Sequence, residues 1–180
     1  MKKLKVGDIF TIPVDEERTG FGQIINIPLY PGVFIITVFT EIYSGEEWPT
    51  LDEIIQDEIL FFGYTMDALI YHKQWKIIGN ISSNTSKVKL PYYKFGLPPK
   101  MKIVNYKGEK VRNATKQEFD QLEYETSVAP IRYENALKAY HKIVEWDSDY
   151  EKLYYNNVAK SIEIVEGIEG EKKRKWYNLW

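Results

Sequence analysis

VGDIFTIPVDEERTGFGQIINI, residues 6–27, is the stretch from which the fold is read. Ile9 and Thr11 alternate before Ile12, Pro13 and Val14, and Gln23 to Ile27 is apolar and β-branched. Such runs favour strands, where branched side chains fit a pleated, half-buried surface. Asp15, Glu16, Glu17 and Arg18 are too polar for a strand interior, so the chain reverses there. Pro13 lacks an amide donor, which predicts that the first strand ends or lies at an edge there. Gly20 and Gly22 flank Phe21, a pattern that suits a bulge or a positive backbone angle early in the return strand. The stretch is therefore a β-hairpin, and the chain around it is built on a sheet.

Outward from the hairpin, strands dominate the first part. Val33–Ile42 is continuous and β-branched, and predicts a strand buried on both faces. Thr50 and Glu53 form a capping box that opens a short helix. Glu58–Phe62 reads as a strand, with a polar break over Gly63–Asp67. Lys73 and Gln74 form a turn, Trp75–Ile78 a strand ended by Gly79 and Asn80, and Ile81–Ser86 a polar loop. Lys87–Lys102 holds five lysines, Pro91, Pro98 and Pro99, and the aromatics Tyr92, Tyr93 and Phe95. Each proline biases its predecessor away from helix, so this segment is extended and irregular. Met101–Tyr106 is a strand turned by Lys107, Gly108 and Glu109.

Helices come later. Thr115 and Glu118 make a second capping box, with a short helix to about Leu122. Pro130–Trp146 reads as the longest helix, Pro130 sitting near N1 and Tyr133, Leu137, Tyr140 and Val144 sharing a stripe that Ile143 widens. Tyr150–Tyr155 begins another helix, and Ser161–Val165 fits strand or helix. Glu169–Lys175 is a solvated charge run before Trp176, Tyr177, Leu179 and Trp180, whose aromatics are expected to dock on the domain or a partner. The expected class is α+β: a strand-rich part, residues 1–112, forming a small twisted sheet or partial barrel, and a helix-rich part, residues 113–180, in one domain.

At 180 residues the chain is long enough to bury a core without staples, and it has no cysteine for disulfides or thiolate metal sites. Absence of cysteine suits a reducing compartment, and Gly7 and Asp8 interrupt any apolar core of a signal peptide, so a cytoplasmic protein is expected. The longest apolar run, around Val33–Phe39, is far short of a membrane span. The net charge of −2 hides a segregation: residues 19–72 carry eight acids and no Lys or Arg, while residues 73–112 carry ten basic residues and one acid. Neutralisation between two neighbouring segments of one sheet is the plain reading of that layout, and a charged partner is the other.

No catalytic constellation stands out. His72 and His141 lack acidic or cysteine neighbours at ligand spacing, and Lys152 stands where the calcium-loop motif suggested by Asp147, Asp149 and Glu151 needs glycine. Phosphate-binding loops, nucleophile elbows and dinucleotide fingerprints are missing. No enzyme activity, cofactor or metal is expected. Lys87–Lys102 suits a nucleic-acid surface, in which lysines neutralise phosphates and Tyr92, Tyr93 and Phe95 stack bases. A sequence pI near 5.8 argues against that reading.

Gly7-Asp8-Ile9-Phe10, Ile12-Pro13 and Gly20-Phe21-Gly22-Gln23-Ile24 together resemble the opening of the immunity protein 26 family of bacterial polymorphic toxin systems. Trp75-Lys76-Ile77-Ile78-Gly79-Asn80, followed by Leu90-Pro91, resembles its second block. The resemblance spans roughly residues 5–95 and implies a small cytoplasmic protein that binds and neutralises a cognate toxin domain without catalysis. The shared residues look structural, so toxin-contacting residues do not carry over. Charge and aromatic content instead nominate Glu16, Glu17 and Arg18 of the first turn with Glu46, Glu47 and Trp48 as a partner-binding surface. An acidic face there would steer a basic toxin, whereas the basic stretch would suit an acidic one. The alternative is a nucleic-acid-binding or ribonuclease-like barrel.

Overall fold

A computed structural model describes residues 3–28, 32–45 and 48–167. They form two compact units, one of Met1–Val88 with Thr126–Tyr155, the other of Lys89–Glu125 with Asn156–Trp180. The fold is α+β with two antiparallel sheets, as the strand-rich beginning and helical end predict.

In the first unit, β1 (Asp8–Pro13) pairs with β2 (Arg18–Asn26), and the predicted hairpin closes over Asp15–Glu17. β1 ends at Pro13, as a residue without an amide donor requires. β3 (Val33–Ser44) pairs with β2 and with β4 (Ile59–Met66), and β5 (Ile77–Asn80) pairs with β1. The strand order is β4-β3-β2-β1-β5. Side-chain alternation gives the sheet two buried faces. Phe10, Ile12, Ile24, Ile36 and Val38 share one core with Trp75 and with α4 (Pro130–Tyr140), through Tyr133, Ala136 and Leu137. Ile9, Phe21 and Phe39 share the other with Ile54 of α1 (Leu51–Ile54), whose capping box forms as predicted.

Phe10 and Gly22 lie directly opposite each other across β1 and β2. A Cβ at Gly22 would stand 2.5 Å from the Phe10 ring and 2.8 Å from the Thr37 carbonyl oxygen. The β2–β3 register shifts between Gly20 and Gly22, but the two extra residues lie on β3 while β2 pairs evenly with β1, so the glycines mark neither a bulge in β2 nor a positive φ. The glycine is needed there for the ring's close approach. On Phe10 lies Trp75, with ring centroids 4.9 Å apart and planes 6° off parallel. Trp75 Nε1 donates to Glu134 Oε2 of α4 at 3.1 Å, and Glu134 pairs with Lys138 at 2.7 Å. A buried carboxylate is tolerable because both partners reach it.

Several expectations need correction in this unit. β4 runs on to Met66 where a break was expected at Gly63, because the bare Gly63 lets the Tyr133 hydroxyl lie against the strand. Trp75 precedes β5 instead of opening it: its side chain is committed to the core, and ladder pairing starts at Ile77. α4 stops at Tyr140, not Trp146. Lys142 takes a positive φ of 60°, and Ile143 N–H returns to the Lys138 carbonyl at 2.9 Å, a Schellman-type ending without the usual glycine. Tyr133 and Leu137 of the predicted stripe are buried, while Tyr140 and Val144 are exposed. Ala68–Tyr71 forms a one-turn helix, α2. The helix expected over Tyr150–Tyr155 is a 3₁₀ segment, Ser148–Leu153, capped by Asp147.

The second unit holds a three-stranded sheet of β6 (Tyr92–Phe95), β7 (Lys102–Asn105) and β8 (Lys110–Asn113). β6 and β8 are strands that the proline-rich and polar sequence did not announce. The second capping box opens α3 (Lys116–Gln121). Of the two readings open for Ser161–Val165, helix holds: α5 (Asn156–Ile162) runs into a π turn over Glu163–Gly167. The terminal charge run and the aromatics beyond it lie outside the described residues. Ile103, Leu122 and Val165 form the core. Glu118 is fully buried. It accepts from Arg112 Nη1 at 2.9 Å and from the Thr115 amide at 2.7 Å, and Arg112 Nη2 also donates to the Val165 carbonyl at 3.0 Å.

Two outcomes follow. Gly22→Ala should cost about 1–3 kcal/mol in urea unfolding, through forced displacement of the Phe10 ring; unchanged stability would show that the ring has room to move. Burial pushes the Glu118 carboxyl up, but its bonds to Arg112 and Thr115 outweigh burial and hold its pKa at about 2 against an ordinary 4.5. A depressed folded pKa means stabilisation that is complete above the unfolded value and lost as pH falls from about 4.5 toward 2. Stability differences between wild type and Glu118→Gln should therefore shrink across that window by on the order of 3 kcal/mol; a pH-independent difference would refute the assignment.

Candidate partner-binding surface

The β1–β2 turn is closed by Asp15. Its carboxylate accepts from the amides of Glu17 at 3.1 Å and Arg18 at 2.7 Å, and from Arg18 Nε at 2.7 Å. The Arg18 side-chain bond, with the backbone bonds and charge of the same turn, holds the Asp15 carboxyl below its usual range against a smaller upward push from desolvation. Arg18 is thus offset within its own turn by an ion pair to Asp15, while Glu16 and Glu17 stay exposed. Arg18 lies opposite Ser44, and the Gly45 amide donates to the Glu17 carbonyl at 3.3 Å. The turn and the end of β3 are therefore neighbours, as grouping these residues requires. Glu46 and Glu47 lie outside the described residues.

Trp48 stands beyond Gly45, 43 % exposed, with its ring edge-on to Phe21 at 5.7 Å. Phe21 is buried and also meets Tyr43 at 5.7 Å. The three rings make an aromatic step from core to surface. Around Tyr43 the charge is negative: burial, then Asp57, Glu41 and Glu53, push its phenol above the ordinary range. Asp57 is held by the amides of Glu41 at 2.8 Å and Glu58 at 2.6 Å. Glu53 serves the α1 cap, and its bonds from Thr50 hold its carboxyl low. Within the first unit, no ion pair between described residues joins an acid of residues 19–72 to Lys73, Lys76 or Lys87. The sequence reading missed Tyr43, Glu41, Glu53 and Asp57. The absence of basic residues over 19–72 was the available signal; strand register supplied the rest.

The other candidates resolve into structure. His141 Nε2 lies 2.8 Å from the Thr40 carbonyl oxygen, and Asp147 and Asp149 pair with Arg132. No group of His, Cys, Asp and Glu side chains suited to a metal occurs among the described residues. In the basic aromatic segment Tyr92 and Tyr93 are half-buried, and Lys94 lies over the rings of Phe119 and Tyr124 at 5.3 and 4.9 Å. Phe95 alone of the three proposed stacking aromatics is exposed.

The sequence model of the immunity protein 26 family matches residues 5–102. The chain belongs to the immunity protein 26 family. The match takes in the whole β1–β5 sheet of the first unit and, in the second, β6 and the first residue of β7. No curated protein and no solved structure is found to match the chain. The motif residues of this immunity protein are framework: Gly22 and Phe10 face each other in the core, Trp75 closes over them, and Gly7 donates its amide to the Ile24 carbonyl at 2.8 Å. No helix among the described residues is long and apolar enough to cross a membrane.

The field at Tyr43 is measurable. Glu41→Gln should move the Tyr43 phenol titration down toward the ordinary range, as removal of one neighbouring negative charge requires. A titration indifferent to Glu41 would show that burial alone sets it.

Proposed function

We propose that this protein neutralises a cognate toxin domain by direct protein–protein contact, without catalysis, in the cytoplasm of the cell that makes the toxin. The family match carries the reading. The surface around Trp48 supports it: a half-exposed tryptophan braced on buried Phe21, beside Tyr43 and acids that no lysine or arginine among the described residues pairs. Tryptophan and tyrosine are common anchors of tight interfaces, and a negative surround speeds encounter with a basic partner. Glu16, Glu17, Arg18 and Trp48 are the proposed contacts, Glu46 and Glu47 with them, joined by Glu41 and Tyr43.

Co-expression tests the reading. Cells producing the toxic domain encoded beside this gene should survive only when this protein is present, and the two should co-purify. Trp48→Ala should weaken the complex roughly tenfold or more, as truncation of an interface anchor does. Glu16→Lys with Glu17→Lys should slow association and flatten its salt dependence. Death with and without this protein would overturn immunity by binding; salt-sensitive micromolar binding of single-stranded RNA would then favour the nucleic-acid alternative.

A further inference from the structure

Beside α1 the first unit has an open cleft of about 410 Å³, whose lining residues all belong to that unit. Phe39, Ile55 and Ile59 give it apolar walls, and Tyr155 adds an aromatic ring. Its acid is Asp57, half-buried and aimed by the Glu41 and Glu58 amides, each bonded to a different carboxylate oxygen. Each oxygen keeps a further lone pair for a donor entering the cleft. Glu41 and Glu53 lie close enough to act on the same Tyr43 hydroxyl as Asp57, so the negative charge reaches beyond one residue. Lys87 is the sole cation among the described lining residues; it is exposed, and no bond to its side chain is formed within the described residues.

We propose that this cleft seats an arginine side chain carried by a loop of the protein partner. The inference rests on the reading of the protein as one that works by protein contact, and adds the chemistry of the contact. An arginine stem suits the apolar walls, its guanidinium presents donors to a fixed carboxylate, and its planar face suits the Tyr155 ring. The volume is at the small end of ligand pockets, sufficient for one long side chain. An anionic group would instead meet Asp57 with Glu41 and Glu53 nearby, against one exposed lysine. Charge complementarity therefore selects a basic occupant.

The test is an NMR titration of the full-length protein with acetyl-Gly-Arg-Gly-amide, and with the matching glutamate peptide as the opposite charge. The arginine peptide should shift the amides of Ile55, Asp57 and Ser83, and the glutamate peptide should leave them in place. Asp57→Asn should weaken arginine-peptide binding, and Lys87→Glu should strengthen it, each by roughly two- to fivefold as single partly screened charges do. Lys87→Glu alters an exposed side chain and keeps the test open should Asp57→Asn disturb the fold. Silence at the cleft with the arginine peptide, preference for the glutamate peptide, or weaker binding by Lys87→Glu would overturn the proposal. Survival in co-expression is read separately: rescue by wild type with a silent cleft removes the arginine seat and leaves immunity by contact standing. Peptide binding without rescue supports the seat and removes the toxin as its partner.

Discussion

Phe10 is held between an absent side chain and a large one. Gly22 has no Cβ to obstruct its ring, and Trp75 covers it in parallel. The stack joins β1, β2 and the segment leading into β5, and the Trp75–Glu134 bond carries it to α4. A tryptophan of this size buried to about 1 % exposure contributes more apolar surface than its neighbours, and truncating such a residue costs about 3–5 kcal/mol. The polar end is as important as the area. Indole nitrogen and carboxylate satisfy each other in the core, and Lys138 supplies the counter-charge, so neither is left buried and unpaired. The first and second sequence blocks, far apart in the chain, are thus two halves of one contact.

That contact frees the opposite face of the sheet for other work. Ile9, Phe21 and Phe39 receive α1, and Gln23 clamps the following loop through its amide to the Ile81 carbonyl and Asn84. Tyr43, near the end of β3, and Trp48 beyond it rest against buried Phe21, and Trp48 is open to solvent. Aromatic anchors on a rigid floor lose little side-chain entropy on binding, which suits the contact surface proposed above.

The hairpin, the continuous β3 strand, both capping boxes and the Pro130 start of α4 were legible in sequence because each is local: a period, a cap or a missing amide decides it. What sequence could not give were outcomes set from elsewhere in the fold. Gly63 looks like a break until Tyr133 is brought beside it; Trp75 looks like the start of a strand until Phe10 claims its ring. α4 ends at a lysine in a left-handed conformation, for which no residue type gives warning. The candidate surface was half legible. Turn residues announced themselves by polarity, while Glu41, Tyr43, Glu53 and Asp57 converge only through the β3–β4 pairing and the position of α1.

Charge segregation along the chain acquires a physical meaning from the same geometry. Acids of residues 19–72 all belong to the first unit, whereas most lysines of residues 73–112 belong to the second. Within the first unit, Lys73, Lys76 and Lys87 form no ion pair with those acids among the described residues. Arg112 turns inward to Glu118, and Lys94 lies over two rings of its own unit. Basic groups are thereby partly spent on building the second unit, while Glu41, Glu53 and Asp57 of the first form no ion pair within their unit among the described residues. A framework whose defining motifs are buried leaves such a surface free to change without cost to folding. Specificity for one partner can then reside in exposed residues such as Trp48 and Glu41, with the Phe10–Trp75 core unaltered beneath them.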